Sequence, residues 1–192
     1  MATDPELPVS RTETGAGYEL RPARLDTDAA AIAALFVEYM TWALGRFQEE
    51  YDSNELPTDI DQVGNSLGSY VPPAGLMIVA EQGDELIGVA ALRTLGTDVV
   101  EVKRMYVVPQ WRAHRLGSAL LDRLLLEARE TFQAKTVRLD TCRFMTQAQR
   151  LYQDRGFVER SPYEGTEIPE AFQKYWRFFE RDLVGTGHSA RA

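Results

Sequence analysis

Apolar positions along the chain fall into two periods. Ile32, Leu35, Phe36, Tyr39, Met40 and Ala43 recur at three- and one-residue steps, the stripe of a helix that buries one face, with Asp26 or Thr27 as its cap. A second helical stripe, Leu116, Ala119, Leu120, Leu124 and Ala128, predicts a helix from about Leu116 to Phe132. Between them lie strand patterns. Tyr18 to Arg21 alternates and ends at Pro22. Leu76 to Ala80 is a short apolar run, and Gln82 to Glu85 is a turn. Leu86 to Leu95 returns with Gly88 inside it, a candidate bulge or close approach. After a turn at Gly96 to Asp98, Val99 to Val108 forms the next strand and stops at Pro109. The links between these last three strands are too short for crossovers, so they form an antiparallel meander.

Downstream, Thr136 to Asp140 is a strand reached through the long helix, which permits parallel pairing beside Val99 to Val108. Thr146-Gln147-Ala148-Gln149 has capping-box spacing and opens a helix carrying Ala148, Leu151 and Tyr152. Gly156 and Phe157 have the order expected of a glycine-terminated helix. Phe157 to Glu159 begins a sixth strand, and Tyr175 to Asp182 makes the last. Gly45 to Gly75 mixes apolar and acidic residues and predicts one short helix near Thr58 to Leu67 inside a connection. Residues 1–17 and 185–192 are polar and read as tails around a single domain over 18–184.

Composition narrows the function. A net charge of −8 over 192 residues argues against a nucleic-acid binder. The apolar runs are too short to span a membrane, and the first residues lack an apolar leader, so the expected place is the cytoplasm. The single cysteine, Cys142, excludes an intrachain disulfide and a multi-cysteine metal site. The one chemically pointed stretch is Arg112-Ala113-His114-Arg115-Leu116-Gly117-Ser118. It is a basic turn opening a helix, where outward N–H groups and the helix dipole favour a phosphate or pyrophosphate. It matches neither the nucleotide-hydrolase loop nor the dinucleotide-binding turn.

The stretch Arg112-x-x-Arg115-x-Gly117, placed after a strand ending Val-x-Pro, resembles the R/Q-x-x-G-x-G/A pyrophosphate signature of the GCN5-related N-acetyltransferase (GNAT) family, with Arg115 where that signature has its first glycine. Ala148-x-x-Leu151-Tyr152-x-x-x-Gly156-Phe157 resembles a second segment of the family, and the closing aromatic strand a third. The likeness covers about Glu101 to Leu183, and the first half follows in the expected element order. It implies an α/β (α+β) fold: a mixed, mainly antiparallel sheet of about six to seven strands flanked by about four helices.

By the same resemblance the co-substrate is acetyl-CoA and no metal takes part. Arg112, Ala113, His114, Arg115, Leu116, Gly117 and Ser118 would hold its pyrophosphate, and the backbone of Met105, Tyr106 and Val107 its pantetheine arm. Tyr152 would protonate the leaving thiolate, and Glu101 would be the general base, directly or through one water. The activity implied is direct acetyl transfer to a small-molecule amine, with a homodimer compatible. Two alternatives stand: a non-catalytic CoA-binding regulatory module, or an enzyme acting on a peptide or protein amine. Read from the residues alone, His114 is a surface residue of the turn, Cys142 a buried structural thiol, and Lys103 and Arg104 ion-pair formers. The acidic 49–61 connection and Glu164, Glu167 and Glu170 are candidate receivers of a cationic acceptor, polyamine or lysine.

Overall fold

A computed structural model describes residues 13–14, 17–53, 55–58 and 67–183. The chain forms β1 (Glu13–Thr14), β2 (Glu19–Pro22), α1 (Leu25–Tyr51), β3 (Gly75–Gln82), β4 (Glu85–Gly96), β5 (Val99–Val107), α2 (Leu116–Glu130), β6 (Thr136–Cys142), α3 (Thr146–Asp154), β7 (Val158–Arg160), α4 (Glu170–Gln173) and β8 (Trp176–Asp182). One sheet runs in the order β1-β2-β3-β4-β5-β6-β8-β7. Every pairing is antiparallel except β5 with β6. The mixed, mainly antiparallel sheet with four helices is the expected fold. The strand beyond the expected six to seven is two-residue β1, in a stretch the sequence reads as tail. The remaining tail residues and most of the helix expected near Thr58 to Leu67 lie outside the described residues.

Each face of the sheet buries its own apolar cluster. On one face α2 sets Leu116, Leu120, Leu121 and Leu124 against Ile78, Ala90, Leu92, Val100, Val102 and Leu139. On the other α1 sets Ile32, Phe36, Met40 and Leu44 against Met77, Val79, Val89, Ala91 and Tyr106. Neighbours along β3 alternate between the two clusters, as side chains on a pleated strand must.

Three local expectations are corrected. Helix α1 runs past Gly45 to Tyr51. A helix glycine costs about 1 kcal/mol relative to alanine, and here packing outweighs it. Phe47 is buried and meets Phe172, Tyr175 and Trp176 with ring centroids 5.3–6.0 Å away. The cap of α1 is Arg24, whose N–H donates to Asp28 Oδ2 at 2.7 Å, so the acidic residue acts from inside the first turn. Thr146 does not cap α3, which starts after Met145 without a side-chain cap. Gln149 instead donates to the carbonyls of Cys142 and Arg143 at 3.0 and 2.9 Å, tying α3 to the end of β6.

Other local readings hold. Gly88 sits at a bulge between β3 and β4, and a Cβ there would lie 3.1 Å from the Tyr106 carbonyl oxygen. Gly156 has φ +78°, and the Phe157 N–H closes α3 on the Tyr152 carbonyl at 3.1 Å.

The entry of α1 is fixed by a buried ion pair. Arg21 Nη1 lies 2.6 Å from Asp28 Oδ2, both side chains are more than nine-tenths buried, and Arg21 also meets Glu81. The bond to Arg21 holds the Asp28 carboxyl below its ordinary value. A depressed carboxylate stabilises the fold above its unfolded pKa of about 3.9, and that contribution is lost as pH falls through the folded value. We expect Asp28→Ala to lower unfolding stability at pH 7 by about 3 kcal/mol, since it leaves a buried cation short of a partner. Urea denaturation checks this, and the gap between parent and variant should narrow on acidification below about pH 4.

Candidate active site

The site begins where two strands part. Strand β5 pairs with β6 over only four positions, Val99 to Val102 against Thr136 to Leu139. Beyond Leu139, β6 keeps β8, and beyond Val102, β5 keeps β4. Between Lys103 and Tyr106, β5 carries one residue more than the β4 segment opposite, and Arg104 there has φ +53°. Such a bulge bends its strand and raises the local twist. The two strands open into a cleft of about 700 Å³ lined by Lys103 to Val107 on one wall and Asp140, Thr141 and Cys142 on the other. Helix α1 roofs it with Tyr39, Trp42, Ala43, Arg46 and Phe47.

One end of the cleft is the predicted basic turn. A single 3-10 turn, Pro109–Trp111, leads to Ala113 at φ +72° and Arg115 at φ +59°. Arg115 thus holds the left-handed conformation that a glycine takes freely, at a cost of about 1–2 kcal/mol for a side-chain-bearing residue. That is the physical content of its standing where the GNAT signature has glycine. The backbone N–H groups of Arg115, Leu116, Gly117 and Ser118 have no acceptor among the described residues. Free amides at a helix start, with Arg112 and Arg115 beside them, fit the pyrophosphate of acetyl-CoA.

Six of the seven turn residues named from the sequence line the cleft, and His114 does not. Its ring is exposed and packs on Trp111 at 5.2 Å, with Nδ1 3.2 Å from the Arg112 carbonyl oxygen. Arg112 reaches into the cleft. Its guanidinium lies over Trp42 at 5.3 Å and Tyr106 at 5.6 Å, and its Nε donates to the Val107 carbonyl at 3.1 Å. Met105, Tyr106 and Val107 all line the wall that the pantetheine expectation named. The Tyr106 hydroxyl donates to Glu38 at 2.8 Å, and burial with that bond pushes the phenol up to about 12.

Tyr152 is 6 % exposed and also lines the cleft. Its ring packs on Phe157 and Phe179 at 6.0 and 6.3 Å. No hydrogen bond engages its hydroxyl among the described residues. Burial, followed by the nearby Tyr39 and Asp140, raises the phenol well above its ordinary value, so it keeps its proton through neutral pH.

Glu101 stands elsewhere. It is fully buried and is not among the residues lining the cleft. Arg93 Nε donates to its Oε2 at 2.5 Å, and the Tyr163 hydroxyl to its Oε1 at 2.6 Å. A general base needs reach to the proton it removes; this carboxylate reaches the cleft only through Lys103, 3.7 Å away. Burial, against the pull of Lys103, raises its pKa. The members of this network come from four separated segments, so local patterning shows only that Lys103 and Arg104 form ion pairs, not with which partners. Arg93 also binds Glu167 at 2.9 Å and the Gly165 carbonyl at 2.7 Å. Lys103 binds Asp140 at 2.9 Å and Glu167 at 3.4 Å. Lys103 and Arg104 are ion-pair formers, as read from the sequence, but both also line the cleft.

Cys142 lines the cleft with its thiol bonded to the Tyr175 carbonyl at 3.3 Å, and burial pushes it up, away from thiolate chemistry. Among the described residues, no group of three or more histidines, cysteines or carboxylates could hold a metal, and no helix is long and apolar enough to cross a membrane.

Residues 73–159 match the family model of the acetyltransferase (GNAT) domain. An N-acetyltransferase of Schizosaccharomyces pombe, itself uncharacterised, is 36 % identical over 111 residues, covering 57 % of this chain and 68 % of that protein. The chain belongs to the GNAT family of N-acetyltransferases. Two solved structures agree in fold. A GNAT acetyltransferase from Staphylococcus aureus superposes with TM-score 0.67 at 18 % identity, over 86 % of this chain and 99 % of that one. A protein from Salmonella typhimurium described as an acetyltransferase, solved with its cofactor acetyl-CoA, gives 0.62 at 19 % identity, over 92 % and 99 %.

Gly117 separates the fold of the turn from its binding. A Cβ there would meet only Leu151 Cδ2, at an ordinary 3.8 Å. We expect Gly117→Ala to fold and bind acetyl-CoA, and Gly117→Glu to fold but lose at least about 100-fold in affinity, because a carboxylate would face the phosphates. Calorimetric titration with acetyl-CoA checks both; equal affinities would put the pyrophosphate elsewhere.

Proposed function

We propose that this acetyltransferase moves the acetyl group of acetyl-CoA directly onto the amine of a small molecule. The observation that carries the proposal is one cleft joining uncommitted helix-start amides, a neutral buried phenol and an aromatic roof at the point where β5 leaves β6. Acetyl-CoA, when bound, supplies an activated thioester and departs as the thiol. Turn amides with Arg112 and Arg115 bind its pyrophosphate, and the β5 wall from Met105 to Val107 aligns its arm. Tyr152 Oη is the proton donor to the departing sulfur, supported by its place in the cleft and its free hydroxyl; the raised pKa keeps the phenol protonated while making it a weaker acid. A proton so held is available through the pH range in which amines act as nucleophiles.

Glu101 takes a supporting part in this reading. With Arg93 and Tyr163 it fixes the 163–167 segment, and through Lys103 it sets the charge on the cleft floor. Cleft water or Asp140, which with Glu167 supplies the carboxylates lining the cleft among the described residues, receives the amine proton. A buried thiol bonded to a carbonyl leaves Cys142 outside the chemistry, which supports direct transfer.

Thiol release from acetyl-CoA across an amine panel tests the activity; no release above the amine-free rate with any amine would leave a CoA-binding module. Tyr152→Phe should lower kcat about 100-fold, the low end of general-acid assistance, with acetyl-CoA affinity held within about twofold. Because burial raises the phenol above its usual value of about 10, the parent kcat should show no alkaline limb from Tyr152 below about pH 10. Unchanged kcat in Tyr152→Phe would make it a packing residue. Glu101→Gln should leave the shape of the pH–rate profile unaltered while lowering the melting temperature; loss of the acidic limb alone would restore Glu101 as a base.

A further inference from the structure

Granting the acetyl transfer proposed above, the charges of the cleft select among amines. The chain as a whole carries −8, yet the lining of the cleft has the opposite balance. Among the described residues, Arg46, Lys103, Arg104, Arg112 and Arg115 line it, the last two being those assigned above to the pyrophosphate, against two carboxylates, Asp140 and Glu167. Neither carboxylate is free. Asp140 is held by Lys103 at 2.9 Å, and Glu167 by Arg93, Lys103 and Arg104 at 2.9, 3.4 and 3.8 Å. Although burial alone would raise it, Glu167 is kept below its ordinary value by Lys103, Arg93 and Arg104. Arg104 keeps a buried Nε with no acceptor, so among the described residues the floor has a spare donor and no unpaired carboxylate.

An ammonium placed here meets two fixed cations and finds its counter-charges already engaged. A single amine answers by entering neutral, the form that attacks an acyl carbon. An amine with a second and third positive charge has no such answer, because each further ammonium must also be desolvated beside like charge. The same cleft also has apolar lining, from Met40, Phe47, Pro57, Ile168 and Trp176. We infer that the acceptor is a monoamine carried on an apolar or aromatic body, and that polyamines are rejected. Of the described acidic residues read from the sequence as receivers of a polyamine, Glu167 alone lines the cleft, and it is occupied; Asp59 and Asp61 lie outside the described residues.

The test compares 2-phenylethylamine with spermidine as acceptors for the full chain, with acetyl-CoA binding measured in parallel by calorimetry. The expected result is a kcat/KM for 2-phenylethylamine at least about tenfold above that for spermidine. Arg46 is 45 % exposed at the rim, where it ties up Glu49 and Glu50 at 2.7 and 3.6 Å. Arg46→Glu should free both and move the ratio of the two kcat/KM values about tenfold toward spermidine. A parent enzyme that uses spermidine as well as or better than 2-phenylethylamine overturns the inference, as does a ratio that Arg46→Glu does not move. Acetylation of neither amine by protein that binds acetyl-CoA also overturns it, while leaving the donor reading intact. Failure to bind acetyl-CoA would instead sink the proposed function itself.

Discussion

One extra residue in β5 sets the geometry of this molecule. Before the bulge, Val100 and Val102 face α2, and Glu101 and Lys103 face the other way. After it the parity reverses: Tyr106 joins the cluster under α1, and Met105 and Val107 pack toward α2. A one-residue slip exchanges the faces of every later side chain. Here that exchange puts Tyr106 under Tyr39, with ring centroids 5.5 Å apart, and lets Arg112 stack upon it. The same bulge takes β5 off the line of β6, so an opening forms without breaking the sheet on either side. β4 holds one wall and β8 the other, and neither needs the missing ladder.

What fills the floor of that opening is charge. Burying Glu101, Lys103 and Asp140 together is tolerable only because each has an opposite partner in hydrogen-bond or ion-pair range. Burial alone would lower the Lys103 pKa, but Asp140, Glu101 and Glu167 outweigh it and keep the ammonium charged. The network spans β4, β5, β6 and the 163–167 segment through Arg93, Lys103, Asp140, Tyr163 and Glu167. It joins the loop after β7 to the sheet without an apolar plug, leaving Ile168 free to line the cleft.

The fold was legible because its signals are local. Period-two runs with two- and three-residue turns define the meander, and the 3.6-period stripes define α1 and α2. The turn from Arg112 to Ser118 declared itself by charge and glycine, and Tyr152 by its place between Ala148 and Gly156. Signals failed where contacts are long-range. Gly45 looked like a stop until Phe47 found aromatic partners more than a hundred residues downstream. Thr146 had cap spacing, but Gln149 was needed at the end of β6. Glu101 had the sequence place of a base, and only tertiary contact reveals Arg93 and Tyr163 closing over it.

Charge segregation joins these parts. Acetyl-CoA is polyanionic, and a chain carrying −8 repels it at a distance. Screening shortens that repulsion to about 8 Å at physiological ionic strength, whereas a cationic lining between low-dielectric walls acts on a ligand already at the mouth. Arg112 and Arg115, proposed to meet the donor's phosphates, line the same cleft as Lys103 and Arg104. In the proposed reading one field attracts the donor and disfavours the protonated amine, whose proton passes to cleft water or Asp140. The proposed division of labour follows from this: Glu101 is held in ion pairs with Arg93 and Lys103, while Tyr152 keeps a protonated hydroxyl in the cleft.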